Sequence, residues 1–316
     1  MIQHLRHELP HGIVLQCRVS GEPGQPVLMF LHGFPEGAFI WDDFLEHFAR
    51  PEHGGYRCVA PNLRGYERSS APSEIEAYRP KHLVQDLVAL AQRESPNRPL
   101  AAVVAHDWGG ALAWNLANQH PDLLQGLFIV NAPHPGAFLR ELQHNPAQRE
   151  ASAYMNFLIR PDAAALLRED GFRRLWEILI GMSAATTTIP SWLDDATRAR
   201  YQELWSMGLD GGLNFYRASP LRPPSGSGST QPALSLPREM LTIEVPTLVL
   251  WGMLDKALLP GLIEGLEGYV PQLSLHRIAQ ATHWLIHEQP ELVKQHLASF
   301  LAVNRDTPLP PQAGGS

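Results

Sequence analysis

Residues 101–112 read Ala-Ala-Val-Val-Ala-His-Asp-Trp-Gly-Gly-Ala-Leu, an apolar run entering a turn of small residues with one reactive side chain, Asp107, inside it. That is the layout of a nucleophile elbow, a sharp strand-to-helix turn that lifts its central residue above a sheet. Small residues two before and two after the nucleophile let strand and helix approach each other. Gly109 fills the second place and Ala105 the first, where glycine is more usual. The central residue decides the chemistry. A carboxylate is already ionised at neutral pH, so it needs no base to attack carbon. Attack on sp³ carbon gives an alkyl ester of the protein, and a histidine is needed only afterwards, for water to cleave that ester. The leaving group departs from sp³ carbon, which points to an epoxide oxygen or a halide. Taken alone, an aspartate just ahead of a helix reads equally well as its N-cap.

Partners further along the chain favour the chemical reading. An apolar run over residues 245–252 is followed by Asp255, placed to orient a histidine, and Ala281-Thr282-His283-Trp284 lies in a loop before the last helix. The order nucleophile, acid, histidine is the one such elbows use. The run ending Ile129-Val130-Asn131 has no carboxylate after it, so an alternative acid position is empty and Asp255 is the choice. His32-Gly33-Phe34-Pro35 follows an earlier strand. There the backbone N–H groups of Phe34 and Trp108 can form an oxyanion hole, which lowers a barrier by roughly 3–4 kcal/mol. The His32 imidazole is expected to pack under the sheet, and the His106 side chain to point away from Asp107. His287 lies four residues after His283, but the string is not His-Glu-x-x-His and no third ligand is apparent, so no metal site is expected.

These residues need a scaffold, and the hydrophobic pattern supplies one. Residues 11–19, 27–31, 56–60, 100–106, 126–130, 245–251 and 273–276 read as strands bounded by Gly and Pro. Between them lie a helix opened by Pro80, with Leu83, Leu87 and Leu90 on one face, and a small-residue helix over 109–120. A final amphipathic helix starts at Pro290. Alternating strands and helices predict an α/β fold with a mostly parallel sheet covered on both faces. Residues 135–239 break the alternation. They are helical in pattern, with Leu, Trp and Ile at three-to-four spacing over 163–181 and 191–207, and hold no convincing strand. This predicts a helical cap over the carboxyl edge of the sheet, where open α/β sheets bind ligands. The expected division is a core of residues 1–134 and 240–303 and a cap of 135–239. The stretch 220–237 reads as a flexible return to the sheet and 304–316 as a disordered tail.

Composition narrows the class. The 316 residues are 44% hydrophobic and 18% charged, which suits a globular protein with a sizeable core. A formal net charge of −7 argues against non-specific nucleic-acid binding. No apolar run is long enough to span a bilayer, and the first eight residues lack the apolar stretch of a signal peptide. Cys17 and Cys58 sit in neither metal nor redox spacing. The expectation is a cytoplasmic, disulfide-free protein.

The strings His32-Gly33-Phe34-Pro35-Glu36 and His106-Asp107-Trp108-Gly109-Gly110, with Asp255 and His283, resemble the motifs of the epoxide hydrolase branch of the α/β-hydrolase fold family. The resemblance covers residues from about 10 to 303. Arg64-Gly65-Tyr66 also matches, with Asn62 and Glu67 departing from the usual Asp and Gly around it. That segment reads as structural. The resemblance implies two cap tyrosines that act as acids on the epoxide oxygen. Leu213-Asn214-Phe215-Tyr216-Arg217 is similar to the string that carries one, and Ser152-Ala153-Tyr154-Met155-Asn156-Phe157, with Pro161 following, to the context of the other. A phenol stays protonated at neutral pH and can donate to the alkoxide as the ring opens. The implied partners are an epoxide and water, with no cofactor and with room for a homodimer. Two other readings stay open: a dehalogenase using the same Asp107, and a hydrolase-fold receptor that binds without turnover. Haloalkane dehalogenases commonly carry Asn after His-Gly, where this chain has Phe34. Fluoroacetate-type relatives carry arginines where it has Trp108 and Ala111. Phe34, Trp108, Trp176, Met182 and Trp284 suggest an apolar, partly aromatic pocket, and core packing explains several of them equally well.

Overall fold

The computed structural model describes residues 1–183, 189–224 and 235–304. Eight strands form one sheet: β1 (Gln3–Glu8), β2 (Val14–Ser20), β3 (Val27–Leu31), β4 (Arg57–Pro61), β5 (Ala102–His106), β6 (Leu127–Val130), β7 (Thr247–Gly252) and β8 (Leu273–Ile278). Their order is β1-β2-β4-β3-β5-β6-β7-β8. β1 and β2 pair antiparallel at one edge, and every pairing from β4 to β8 is parallel. The chain is thus an α/β protein with a mostly parallel sheet, as the alternating pattern predicts. The strand absent from the sequence reading is β1. It is an edge strand, mostly exposed and polar, so it carries no period-two apolar signal.

The inner strands are buried on both faces, and alternate side chains sort into two cores. Val27, Met29 and Leu31 of β3 join one cluster with Val103, Ala105, Leu127, Ile129 and Val249. Leu28 and Phe30 join the other with Ala102, Val104, Phe128 and Leu250. Helices α1 (Asp42–Phe48), α2 (Pro80–Glu94) and α3 (Asp107–Gln119) cover the sheet. α2 and α3 pack on the first cluster, and α1 on the second. Between β6 and β7 the described chain holds α4 (Pro135–His144), α5 (Pro146–Ala151), α6 (Tyr154–Leu158), α7 (Ala163–Gly181), α8 (Asp195–Met207) and α9 (Asp210–Ala218), with no strand. α7 is broken at Glu169–Phe172, where Asp170, Gly171 and Phe172 turn to positive φ. Two helices close the chain, α10 (Leu285–Glu288) and α11 (Pro290–Asn304). No helix among the described residues is long and apolar enough to cross a membrane. Both cysteines are free and buried. Part of the return segment, 225–234, and the tail, 305–316, lie outside the described residues.

Register is what converts this sheet into a site. Leu31, Ala105, Ile129 and Val249 lie in line across β3, β5, β6 and β7. The residues that leave these strands therefore emerge side by side at one edge: His32 to Phe34, Asp107, Asn131 and, past β7, Asp255. β8 continues the row, with Ile278 opposite Gly252. The loop after it carries His283.

Candidate functional site

Asp107 is both the first residue of α3 and a left-handed residue, with φ of 50°. A side chain other than glycine costs about 1–3 kcal/mol in that region, so packing on all sides must hold it there. At Gly109 the packing is backbone against backbone, and at Gly33 it is backbone against the Asp107 side chain. A Cβ on Gly109 would stand 2.5 Å from the Leu31 carbonyl oxygen, and one on Gly33 would stand 2.2 Å from Asp107 Oδ1. Helix, strand and the loop after β3 meet too closely for anything but glycine at those two places.

The Asp107 carboxylate is addressed from two sides. The Phe34 N–H donates to Oδ1 at 2.8 Å. His283 Nε2 lies 3.8 Å from Oδ2, beyond direct hydrogen bonding and close enough for a bridging water. The other ring nitrogen, Nδ1, is 2.8 Å from Asp255 Oδ2. Asp255 is buried, and its Oδ1 accepts from the N–H groups of Ala257 and Leu258, each at 2.9 Å. Asp255, Asp107 and, least, Glu36 together outweigh the burial of His283, which alone would favour the neutral ring. Its pKa is raised to about 9, mainly by the charge and hydrogen bond of Asp255, then by Asp107. The Trp108 N–H stands in the first turn of α3, where helix N–H groups have no acceptor within the helix. No hydrogen bond joins it to Asp107 among the described residues.

Tyr154 on α6 and Tyr216 on α9 face the same space, their rings 6.3 Å apart. Tyr216 is wedged edge-on between Phe34 at 5.4 Å and Trp108 at 5.0 Å. Both phenols are held well above the usual tyrosine range, first by burial. For Tyr154 the Asp107 and Asp255 charges add to this, and for Tyr216 the neighbouring Tyr154 and Asp107 do. They remain protonated donors throughout the neutral range. Asp107, Tyr154 and Tyr216 line one cavity of about 340 Å³. A shallower depression of about 810 Å³ lies between the 65–75 loop and α9 and contains none of these groups. A carboxylate and two phenols in the wall of one apolar cavity, with a histidine–carboxylate pair beside that carboxylate, can attack saturated carbon, protonate the departing oxygen and then cleave the ester.

Residues 26–290 match the alpha/beta hydrolase fold family. The chain is 33% identical over 294 residues to the AB hydrolase superfamily protein YfhM of Bacillus subtilis, covering 92% of this chain and 95% of that protein. It is 32% identical over 297 residues to Epoxide hydrolase 3 of Xenopus tropicalis, covering 92% and 75%. A solved structure of novel epoxide hydrolases from metagenomes of hot environments superposes with a TM-score of 0.83 at 34% identity, covering 95% of this chain and 99% of that one. The chain belongs to the epoxide hydrolase branch of the α/β-hydrolase fold family.

Within this family member, three features escape the sequence reading. The position after β6 is not idle, although it carries no carboxylate. Asn131, at φ of 42°, donates from Nδ2 to Asp255 Oδ2 at 2.8 Å and accepts the Gly252 N–H at 3.0 Å. It ties the loops after β6 and β7 together around the acid. Secondly, the last residue of the His32–Glu36 string is fully buried at the centre of a polar cluster. Glu36 Oε1 accepts from the Tyr201 hydroxyl at 2.6 Å and lies 2.7 Å from His287 Nε2, while Oε2 lies 3.1 Å from His106 Nδ1. Burial alone would raise its pKa. The His287 charge and the His106 hydrogen bond outweigh that and hold the carboxyl well below the usual range. His106 points away from Asp107, and its Nε2–H donates to the His283 carbonyl at 2.9 Å. His32 is fully buried against the loop after β4, its ring 4.7 Å from that of Tyr66. It accepts the Leu63 N–H at 3.1 Å, and burial lowers its pKa to about 4.

The third feature is a correction to the expected pocket. Of Phe34, Trp108, Trp176, Met182 and Trp284, only Trp108 lines the cavity. Trp284 is core, donating to the Leu179 carbonyl at 2.8 Å, and Trp176 packs on Trp205 with rings 4.4 Å apart. The apolar wall comes instead from residues such as Leu112, Phe138, Met155 and Leu258. Aliphatic residues at helical spacing look the same in sequence whether they face a core or a cavity.

Proposed function

We propose that this chain hydrolyses epoxides to vicinal diols through a covalent alkyl ester on Asp107, with residues 135–239 acting as a cap over the sheet edge. The observation that carries the reading is the facing of Asp107 and the Tyr154–Tyr216 pair across one apolar cavity, with His283 at the second carboxylate oxygen. The epoxide oxygen accepts from the two phenols. Asp107 attacks a ring carbon, the carbon–oxygen bond breaks, and the alkoxide takes a phenol proton as it forms. His283, oriented by Asp255, then removes a proton from water. That water attacks the ester carbonyl, and the N–H groups of Phe34 and Trp108 hold the oxyanion. The ester carbon–oxygen bond breaks, the departing alkoxide takes the proton of the new carboxyl group, and the diol leaves with the Asp107 carboxylate regenerated.

Esterification also changes the base. With Asp107 ionised, His283 is protonated at neutral pH, since its pKa is about 9 and Asp107 contributes to that rise. Forming the ester removes the Asp107 charge, leaving Asp255 and Glu36, while the burial of the ring persists. The pKa falls, the ring gives its proton to the phenolate left by ring opening, and it becomes a proton acceptor at the step that needs one.

The relatives named as epoxide hydrolases support this substrate class. A hydrolysis screen of styrene-oxide-like and aliphatic epoxides beside haloalkanes tests it. Diol formation is expected. Halide release without diol would give a dehalogenase, and binding with neither product would give a receptor.

A further inference from the structure

We propose that the cavity selects epoxides with a single long apolar arm, that is, terminal epoxides rather than internal ones, a specificity that rests on the reaction proposed above. The wall contributed by α3 is Asp107, Trp108, Ala111, Leu112, Asn115 and Gln119. These residues share one helix face, and from 107 to 119 that face runs about 18 Å. The cavity is therefore a slot along α3, and its two ends differ. At the far end Gln119 is exposed and Met240, whose neighbours Glu239 and Thr242 accept from the Asn118 side chain, is 59% exposed, which makes this the mouth. Around Asp107 the walls are buried: Met155, Phe215 and Tyr216.

Past Asp107 the slot stops. Among the described residues, α7, α8 and α10 contribute no side chain to its wall. The space behind His283 is filled by Trp284, fully buried and bonded to the Leu179 carbonyl of α7, and Phe34 closes the side next to the carboxylate. An epoxide whose oxygen reaches the two phenols has room for a substituent along α3 toward the mouth. A second substituent on the other ring carbon would have to enter packed core, where extra methylenes cost as overpacking does.

The test measures kcat/KM for a homologous series of terminal epoxides, from butene oxide to dodecene oxide, beside the symmetrical internal isomers of equal carbon number. Each methylene added inside the slot is expected to raise kcat/KM by up to about fourfold, with a plateau once the chain reaches the mouth. Internal isomers should fall about a hundredfold below their terminal counterparts. Asn115→Trp, which fills the middle of the slot, should lower the ratio of dodecene-oxide to butene-oxide kcat/KM at least about tenfold, a ratio that loss of folded protein does not move. Gln119→Trp should shift only where the plateau begins. Internal isomers turned over within tenfold of the terminal ones, or an unchanged ratio in Asn115→Trp, would overturn the specificity and leave the reaction standing. Absence of diol from every epoxide would remove the reaction and the specificity with it.

Discussion

Two buried histidine–carboxylate clusters lie side by side beneath the carboxyl edge of the sheet, and only one of them faces the cavity. In the first, His283 gives one nitrogen to Asp255 and keeps the other 3.8 Å from Asp107. In the second, Glu36 binds His106, His287 and Tyr201, and His106 spends both ring nitrogens on oxygen partners. The rings of His106 and His283 are 4.8 Å apart. Residue type and burial are nearly the same in the two clusters, so neither feature separates the proposed general base from a structural pair. The difference is one uncommitted nitrogen, 3.8 Å from the Asp107 carboxylate. The Glu36 cluster ties α8, through Tyr201, to the loop that supplies the Phe34 N–H, and it anchors the backbone of His283.

The comparison breaks most readily at the histidines. His283→Ala should lower turnover by at least about a thousandfold while leaving alkylation intact, so that the alkyl ester accumulates as a mass increase on the peptide containing Asp107. His287→Ala should cost less than about tenfold in turnover, with about 1–3 kcal/mol lost in urea unfolding as Glu36 loses a partner. Equal losses of turnover in the two variants would erase the distinction. Across the cavity, Tyr154→Phe and Tyr216→Phe should each slow alkylation by about 10- to 100-fold and leave the decay of a formed ester unchanged, as rapid-quench kinetics would report.

Smaller effects sharpen the same contrast. Asn131→Leu strips Asp255 of one donor and leaves the Gly252 N–H unpaired. It should lower kcat about tenfold and stability by about 1–3 kcal/mol. The pH dependence is subtler. His283 in the free protein titrates at about 9, raised by Asp255 and Asp107 over the opposing effect of burial. In the ester the Asp107 charge is gone, so hydrolysis of a preformed ester should rise with pH through a midpoint clearly below that value. A midpoint at or above it would mean that Asp107 does not set the charge on the ring.

The strands, the tight turn at Asp107 and the places of Asp255 and His283 are legible in the sequence because each rests on local signals. These are the apolar run into Asp107, Gly109 where helix meets strand, and Asp255 and His283 just past later strands. What local signals cannot carry is which distant side chains converge. Asn131 lies 124 residues from Asp255, and Glu36 lies 251 from His287. Nothing near either residue announces its partner. β1 is illegible for a different reason, since an edge strand buries too little to show a pattern. The slot wall is hidden as well, because Leu112 and Asn115 on α3 follow the same spacing a core-facing helix would.

The central claim is that an Asp107 oxygen enters the product and is replaced from water. A single turnover of an epoxide in ¹⁸O-water, followed by mass analysis of the peptide holding residue 107, tests it directly. The account predicts label in the Asp107 carboxylate and an unlabelled diol from that first turnover. Label in the diol with none in the peptide would mean that water attacks the ring itself, and the covalent route would be wrong.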